Sequence, residues 1–82
     1  MKKRSFLYDD GENFIIWSET DSTVELICVY GDKVFYYVPN SLIDNVLFTQ
    51  LMERLNIGEN DRNNIRNIVM EMYDSWRKEN IK

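Results

Sequence analysis

An α+β domain is expected of this 82-residue chain: an antiparallel β-meander of three or four strands, followed by two antiparallel α-helices packed on one face of the sheet. Three observations lead there. Two β-rich runs flank Gly31-Asp32, Pro39 stops that pattern, and the residues beyond it carry apolar side chains at helical rather than alternating spacing. The chain is 44% hydrophobic, enough for one small core, so residues 1–82 are read as a single domain.

The first strand is placed at about residues 5–8, since Phe6 to Tyr8 is a short β-like run. Asp9-Asp10-Gly11-Glu12-Asn13 then supplies turn residues before a second strand at about 13–18. Polar residues Ser18 to Ser22 read as another turn. The third and fourth strands, about 23–30 and 33–38, form the strongest hairpin, because a two-residue Gly31-Asp32 loop suits positive φ at glycine. Counting outward from that turn sets Tyr30 opposite Lys33, Val29 opposite Val34, Cys28 opposite Phe35, Ile27 opposite Tyr36 and Leu26 opposite Tyr37. One face then holds Val24, Leu26, Cys28, Tyr30, Phe35 and Tyr37, with Lys33 at its end, and is taken as the core face. The other holds Thr23, Glu25, Ile27, Val29, Val34, Tyr36 and Val38, and is unusually apolar for a surface that should meet water. A slip of one residue would exchange the two sets.

Helices are placed at about 41–56 and 61–79. Ser41 with Asp44 resembles a capping box, and Leu42, Val46, Leu51 and Leu55, flanked by Ile43 and Phe48, suggest the first buried stripe. Gly58 is expected to end this helix and Asn60 or Asp61 to cap the next. In the second helix Ile65, Ile68, Val69, Met72, Tyr73 and Trp76 follow spacings of three and four, which assigns Trp76 to the core; Trp17 is left open between core and interface.

Chemistry-bearing groups are few. Histidine is absent and the lone Cys28 has no thiol partner, so a catalytic role, a cysteine metal site and a disulfide are not expected. Gly11, Gly31 and Gly58 are isolated, leaving no phosphate-cradling loop. Asp9, Asp10 and Glu12 could offer oxygen ligands to a hard cation, but turn chemistry accounts for them and they lack the ligand series of an EF-hand. No catalytic, metal or cofactor residue is therefore assigned.

The net charge of −4 is unevenly distributed: residues 1–8 carry +3, residues 9–59 carry −8 and residues 60–82 carry +1. In a meander the first and third turns share one end, gathering Asp9, Asp10, Glu12 and Asp32, with Glu19 and Asp21 at the other. Such a surface favours basic partners over nucleic acid. A nucleic-acid reader is the rival reading, resting on Arg62, Asn63, Arg66 and Asn67 of the second helix, since arginine and asparagine make bidentate contacts to base edges.

These features point to a cytoplasmic, non-catalytic interaction protein, a regulator or inhibitor of a larger partner. Ile27, Val29, Val34 and Tyr36 are its apolar contacts, and Asp9, Asp10, Glu12 and Asp32 steer a basic partner. Strand addition at one of the two unpaired sheet edges is a second route to a protein contact, and a homodimer whose patch serves only assembly is the third reading. No run approaches the length that spans a bilayer, no signal-peptide core follows Met1-Lys2-Lys3-Arg4, and one cysteine suits a reducing compartment. The absence of alanine and abundance of asparagine, isoleucine and lysine suggest an AT-rich bacterial or phage genome. The profile is similar in kind to small acidic inhibitor and immunity proteins of bacteria and phages, although no motif ties it to one family.

Overall fold

A computed structural model describes residues 3–39 and 45–80, which divide into two compact units, one ending at Val38 and the other beginning at Pro39. The first unit is a four-stranded antiparallel sheet, β1 (Lys3–Asp9), β2 (Phe14–Glu19), β3 (Val24–Tyr30) and β4 (Lys33–Tyr37), in the order β1-β2-β3-β4. The second holds α1 (Asn45–Arg54) and α2 (Glu59–Asn80).

The β3–β4 ladder has the register expected from its turn, from Tyr30↔Lys33 through Leu26↔Tyr37. Gly31 adopts a φ of 59° while Asp32 keeps a negative one, the pattern of a II′ turn, whose twist matches that of the strands it joins. β1 is longer than the expected 5–8. Its polar start pairs as fully as its apolar middle, Lys3↔Glu19 and Arg4↔Ser18, and an irregularity between Phe6 and Tyr8 takes up one extra residue. Between β2 and β3 the Thr20 hydroxyl closes the turn: it accepts from the Thr23 amide at 3.0 Å and lies 2.8 Å from the Thr23 hydroxyl.

One face of this sheet is buried: Ile15, Trp17, Leu26 and Cys28 are each at most 1% exposed. Trp17, left open by the sequence, is thus a core residue, and its indole N–H donates to Glu19 Oε1 at 3.1 Å. Burial pushes the Cys28 thiol up to about 12, so it behaves as a small apolar group.

In the helical unit the buried residues of α1 are Phe48, Leu51 and Met52, continued by Leu55 just past its end. Val46, expected on this stripe, is 64% exposed. Positions 48, 51, 52 and 55 keep the i, i+3, i+4, i+7 spacing, whereas five residues from 46 to 51 turn the helix by roughly 140° past a common face. The Ser41, Leu42, Ile43 and Asp44 expectations lie outside the described residues. On α2, Ile65, Val69 and Trp76 are buried, Met72 and Tyr73 half-buried, and Ile68 falls at the margin, 39% exposed.

The joint between the helices corrects two further expectations. α1 is ended by Asn56, not Gly58: Asn56 adopts φ 56°, its amide donates to Glu53 O at 3.1 Å, and the Ile57 amide donates to Met52 O at 3.0 Å. This is the Schellman pattern, completed by burial of Ile57 and Met52, and asparagine tolerates the left-handed position better than other side chains. Gly58 is instead the residue before α2, its carbonyl accepting from the Arg62 amide at 3.0 Å. Asn60 and Asp61 therefore lie inside the first turn, where Glu59 and Asp61 complement the helix dipole.

Asn56→Val should lower stability by about 1–2 kcal/mol, the cost of a branched side chain at positive φ, while Asn56→Gly should leave it near wild type. Urea denaturation followed by circular dichroism measures both; equal losses would show that the Asn56 side chain, not its backbone angle, is what matters.

Candidate protein-binding surface

The second face of the sheet follows from the same registers. Phe6 pairs with Ile16, Ile16 with Ile27 and Ile27 with Tyr36, so one apolar rank crosses all four strands. A second rank, Phe14↔Val29↔Val34, lies beside it. Phe6 and Tyr36 are each 65% exposed and Val34 is 50%, whereas Ile16, Ile27, Phe14 and Val29 are half-buried among them. Phe6 meets Phe14 edge to face, with ring centroids 5.9 Å apart. Contiguous apolar surface of this kind on a small domain marks an interaction site more often than isolated exposed side chains do.

The expected apolar residues Ile27, Val29, Val34 and Tyr36 are thus brought together, and Phe6, Phe14 and Ile16 join them. The additional three were not assigned from sequence because the β1–β2 and β2–β3 loops are longer than two residues and leave register open. A signal existed, however. Phe14-Ile15-Ile16-Trp17 is apolar at four successive positions, so β2 had to place apolar side chains on both faces. The N-terminal segment forms edge strand β1 from Lys3 onward.

The turns carrying Asp9, Asp10, Glu12 and Asp32 do lie at one end of the sheet, as a meander requires. Asp9 Oδ1 accepts from the Gly11 amide at 2.9 Å. Asp10 Oδ1 accepts from the amides of Asn13 at 2.7 Å and Glu12 at 3.0 Å, and its Oδ2 from Tyr8 Oη and Asn13 Nδ2. The bonds from Asn13 and Glu12 hold the Asp10 carboxyl below its ordinary range. Both aspartates therefore organise the β1–β2 turn, as turn chemistry suggested, while remaining exposed charges at the rim of the apolar face.

The residues of the rival reading are differently placed. Arg62 Nε donates to Ile57 O at 2.8 Å, closing the helix joint, and the Arg66 guanidinium lies 5.0 Å from the centroid of the Phe48 ring, tying α2 back to α1. Asn63 and Asn67 are exposed beside them. Arg77 likewise stacks over Tyr73 at 5.7 Å. These arginines carry structural contacts within their own unit, which lowers their value as free phosphate or base contacts.

Among the described residues, no helix is long and apolar enough to cross a membrane. The chain matches no protein-family model, and comparison with curated proteins and with solved structures finds no match either.

Asp10 gives a pH dependence of known sign. Its depressed pKa in the folded protein contributes stability above the unfolded value, near 3.9, that is lost as pH falls through the folded one. Asp10→Asn should be less stable than wild type at pH 7 and should lose less stability between pH 5 and pH 2, as read from urea midpoints. Parallel pH curves for the two proteins would exclude this contribution.

Proposed function

We propose that this protein is a small, non-catalytic, cytoplasmic interaction module, a regulator or inhibitor that docks a larger protein on the open face of its sheet. The observation that carries the reading is the continuous rank Phe6–Ile16–Ile27–Tyr36, exposed at both ends although every strand beneath it is paired into the sheet. In this reading the partner takes the Tyr36 face of the sheet, the one opposite the buried Leu26 and Cys28.

The sheet residues 3–38 carry seven carboxylates against Lys3, Arg4 and Lys33, so complementarity calls for a basic partner. Apolar contact supplies affinity, while Asp9, Asp10, Glu12 and Asp32 accelerate encounter. Pairing through a sheet edge is the weaker route. The irregularity in β1 twists that edge next to Lys3 and Arg4, and β4 is only five residues long, with Pro39 shortly after it.

Tyr36→Asp should abolish capture of a partner from host lysate, a loss of about 2 kcal/mol or more, with an unchanged far-UV circular dichroism spectrum because the side chain is largely in solvent. Capture of the same proteins by the folded variant would discard the site. Neutralising Asp9 and Asp32 together should slow association and flatten its dependence on ionic strength, measured by stopped flow. An unaltered salt response would remove the steering role.

A further inference from the structure

We infer that the free protein is a weak two-fold dimer, in which a second copy covers the open sheet face and must leave before the partner docks; the inference rests on the docking surface proposed above. The registers make that face self-complementary. Arg4, Ser18 and Glu25 stand in a third rank, across the Phe6–Ile16–Ile27–Tyr36 rank from that of Asp9, Phe14, Val29 and Val34. Along β2 the three ranks are marked by Ser18, Ile16 and Phe14, so the outer two lie equally far from the middle one, roughly 7 Å on either side. On β1 the irregularity between Phe6 and Tyr8 secures the same symmetry, since it brings Asp9 rather than Tyr8 onto the face of Arg4 and Phe6.

A two-fold axis laid along the middle rank, across the strands, therefore sets each outer rank over the other outer rank of the second copy. Phe6, Ile16, Ile27 and Tyr36 meet their own counterparts. The exposed Asp9 of each copy comes over the exposed Arg4 of the other, so the dimer has two such crossings. The strands of the two sheets stay within about 30° of a common line, the aligned packing of sandwiches. Charge opposes the other symmetric arrangement. An axis along the strands would lay the end bearing Asp9, Asp10, Glu12 and Asp32 on the same end of the second copy.

Area limits how tight this dimer is. Four strands about 4.8 Å apart and three ranks about 7 Å apart give a footprint of roughly 400 Å² per copy, against about 800 Å² in a standard stable interface. Each copy also carries a net charge of −4, which opposes association. The dimer is therefore weak and exchanging. It shields Phe6 and Tyr36 from water in the unbound protein, and it yields to a basic partner, which meets the same carboxylates without the repulsion of a second acidic chain.

Sedimentation equilibrium of the full chain should show a reversible equilibrium between monomer and dimer. Arg4→Asp and Asp9→Lys should each weaken it by about tenfold or more, since each sets like charges together at both crossings. An equal mixture of the two variants should restore wild-type association, because the mixed pair opposes the new carboxylate to the new amine at one crossing and keeps Asp9 over Arg4 at the other. Tyr36→Asp should leave a monomer. Circular dichroism verifies each variant as folded. Arg4→Asp spares the bond from the Gly11 amide to Asp9, so its loss of association stands whatever Asp9→Lys does to that turn.

A monomer at every concentration, a dimer that tolerates Tyr36→Asp, or a mixture no better associated than the single variants would overturn the inference. None of these results touches the docking reading, which stands or falls on lysate capture by Tyr36→Asp. A dimer lost in that variant while capture is unaltered would uphold the two-fold dimer as the whole role of this face and remove the larger partner from it.

Discussion

Register is the constraint on which the sheet depends, and it is set where freedom is least. A two-residue loop with glycine at positive φ leaves one pairing for β3 and β4, and the strict alternation of side chains carries that choice outward. Because β3 also pairs with β2, and β2 with β1, Ile27 stands in line with Ile16 and Phe6 on one side and with Tyr36 on the other. The partition into a buried face of Ile15, Trp17, Leu26 and Cys28 and an open apolar face follows from the same registers.

Hydrogen bonding in the turns protects this register. The Asp10 carboxylate satisfies two amides and two side-chain donors in one loop, and the Thr20 hydroxyl does comparable work in the next. Each loop is thereby given a fixed shape without a large core beneath it, a useful economy in a domain of this size. The helical unit uses the same device. Asn56 reverses the chain through two backbone bonds, and Arg62 adds a third to the carbonyl of Ile57.

The polar side chains nearest the two candidate surfaces consequently divide into two groups. Arg62 and Arg66 hold the helix joint and the Phe48 ring within their own unit, while Asn63 and Asn67 beside them are exposed. Asp9 and Asp10 also shape a turn, but their charge stays exposed at the rim of the apolar ranks.

Turn chemistry and periodicity in the chain were sufficient for the α+β class, the β3–β4 register, the Ile27, Val29, Val34 and Tyr36 patch, and the Ile65, Val69 and Trp76 stripe, because each is set by neighbours within a few residues. The structure alone decided that Phe6, Phe14 and Ile16 extend the patch, that Val46 leaves the α1 stripe, and that Asn56 rather than Gly58 stops that helix. The first depends on strand pairing across loops of more than two residues, which local pattern does not specify. The others depend on the angular phase at which α1 is buried and on which residue takes the left-handed turn, and both are chosen by packing around Met52, Leu55 and Ile57.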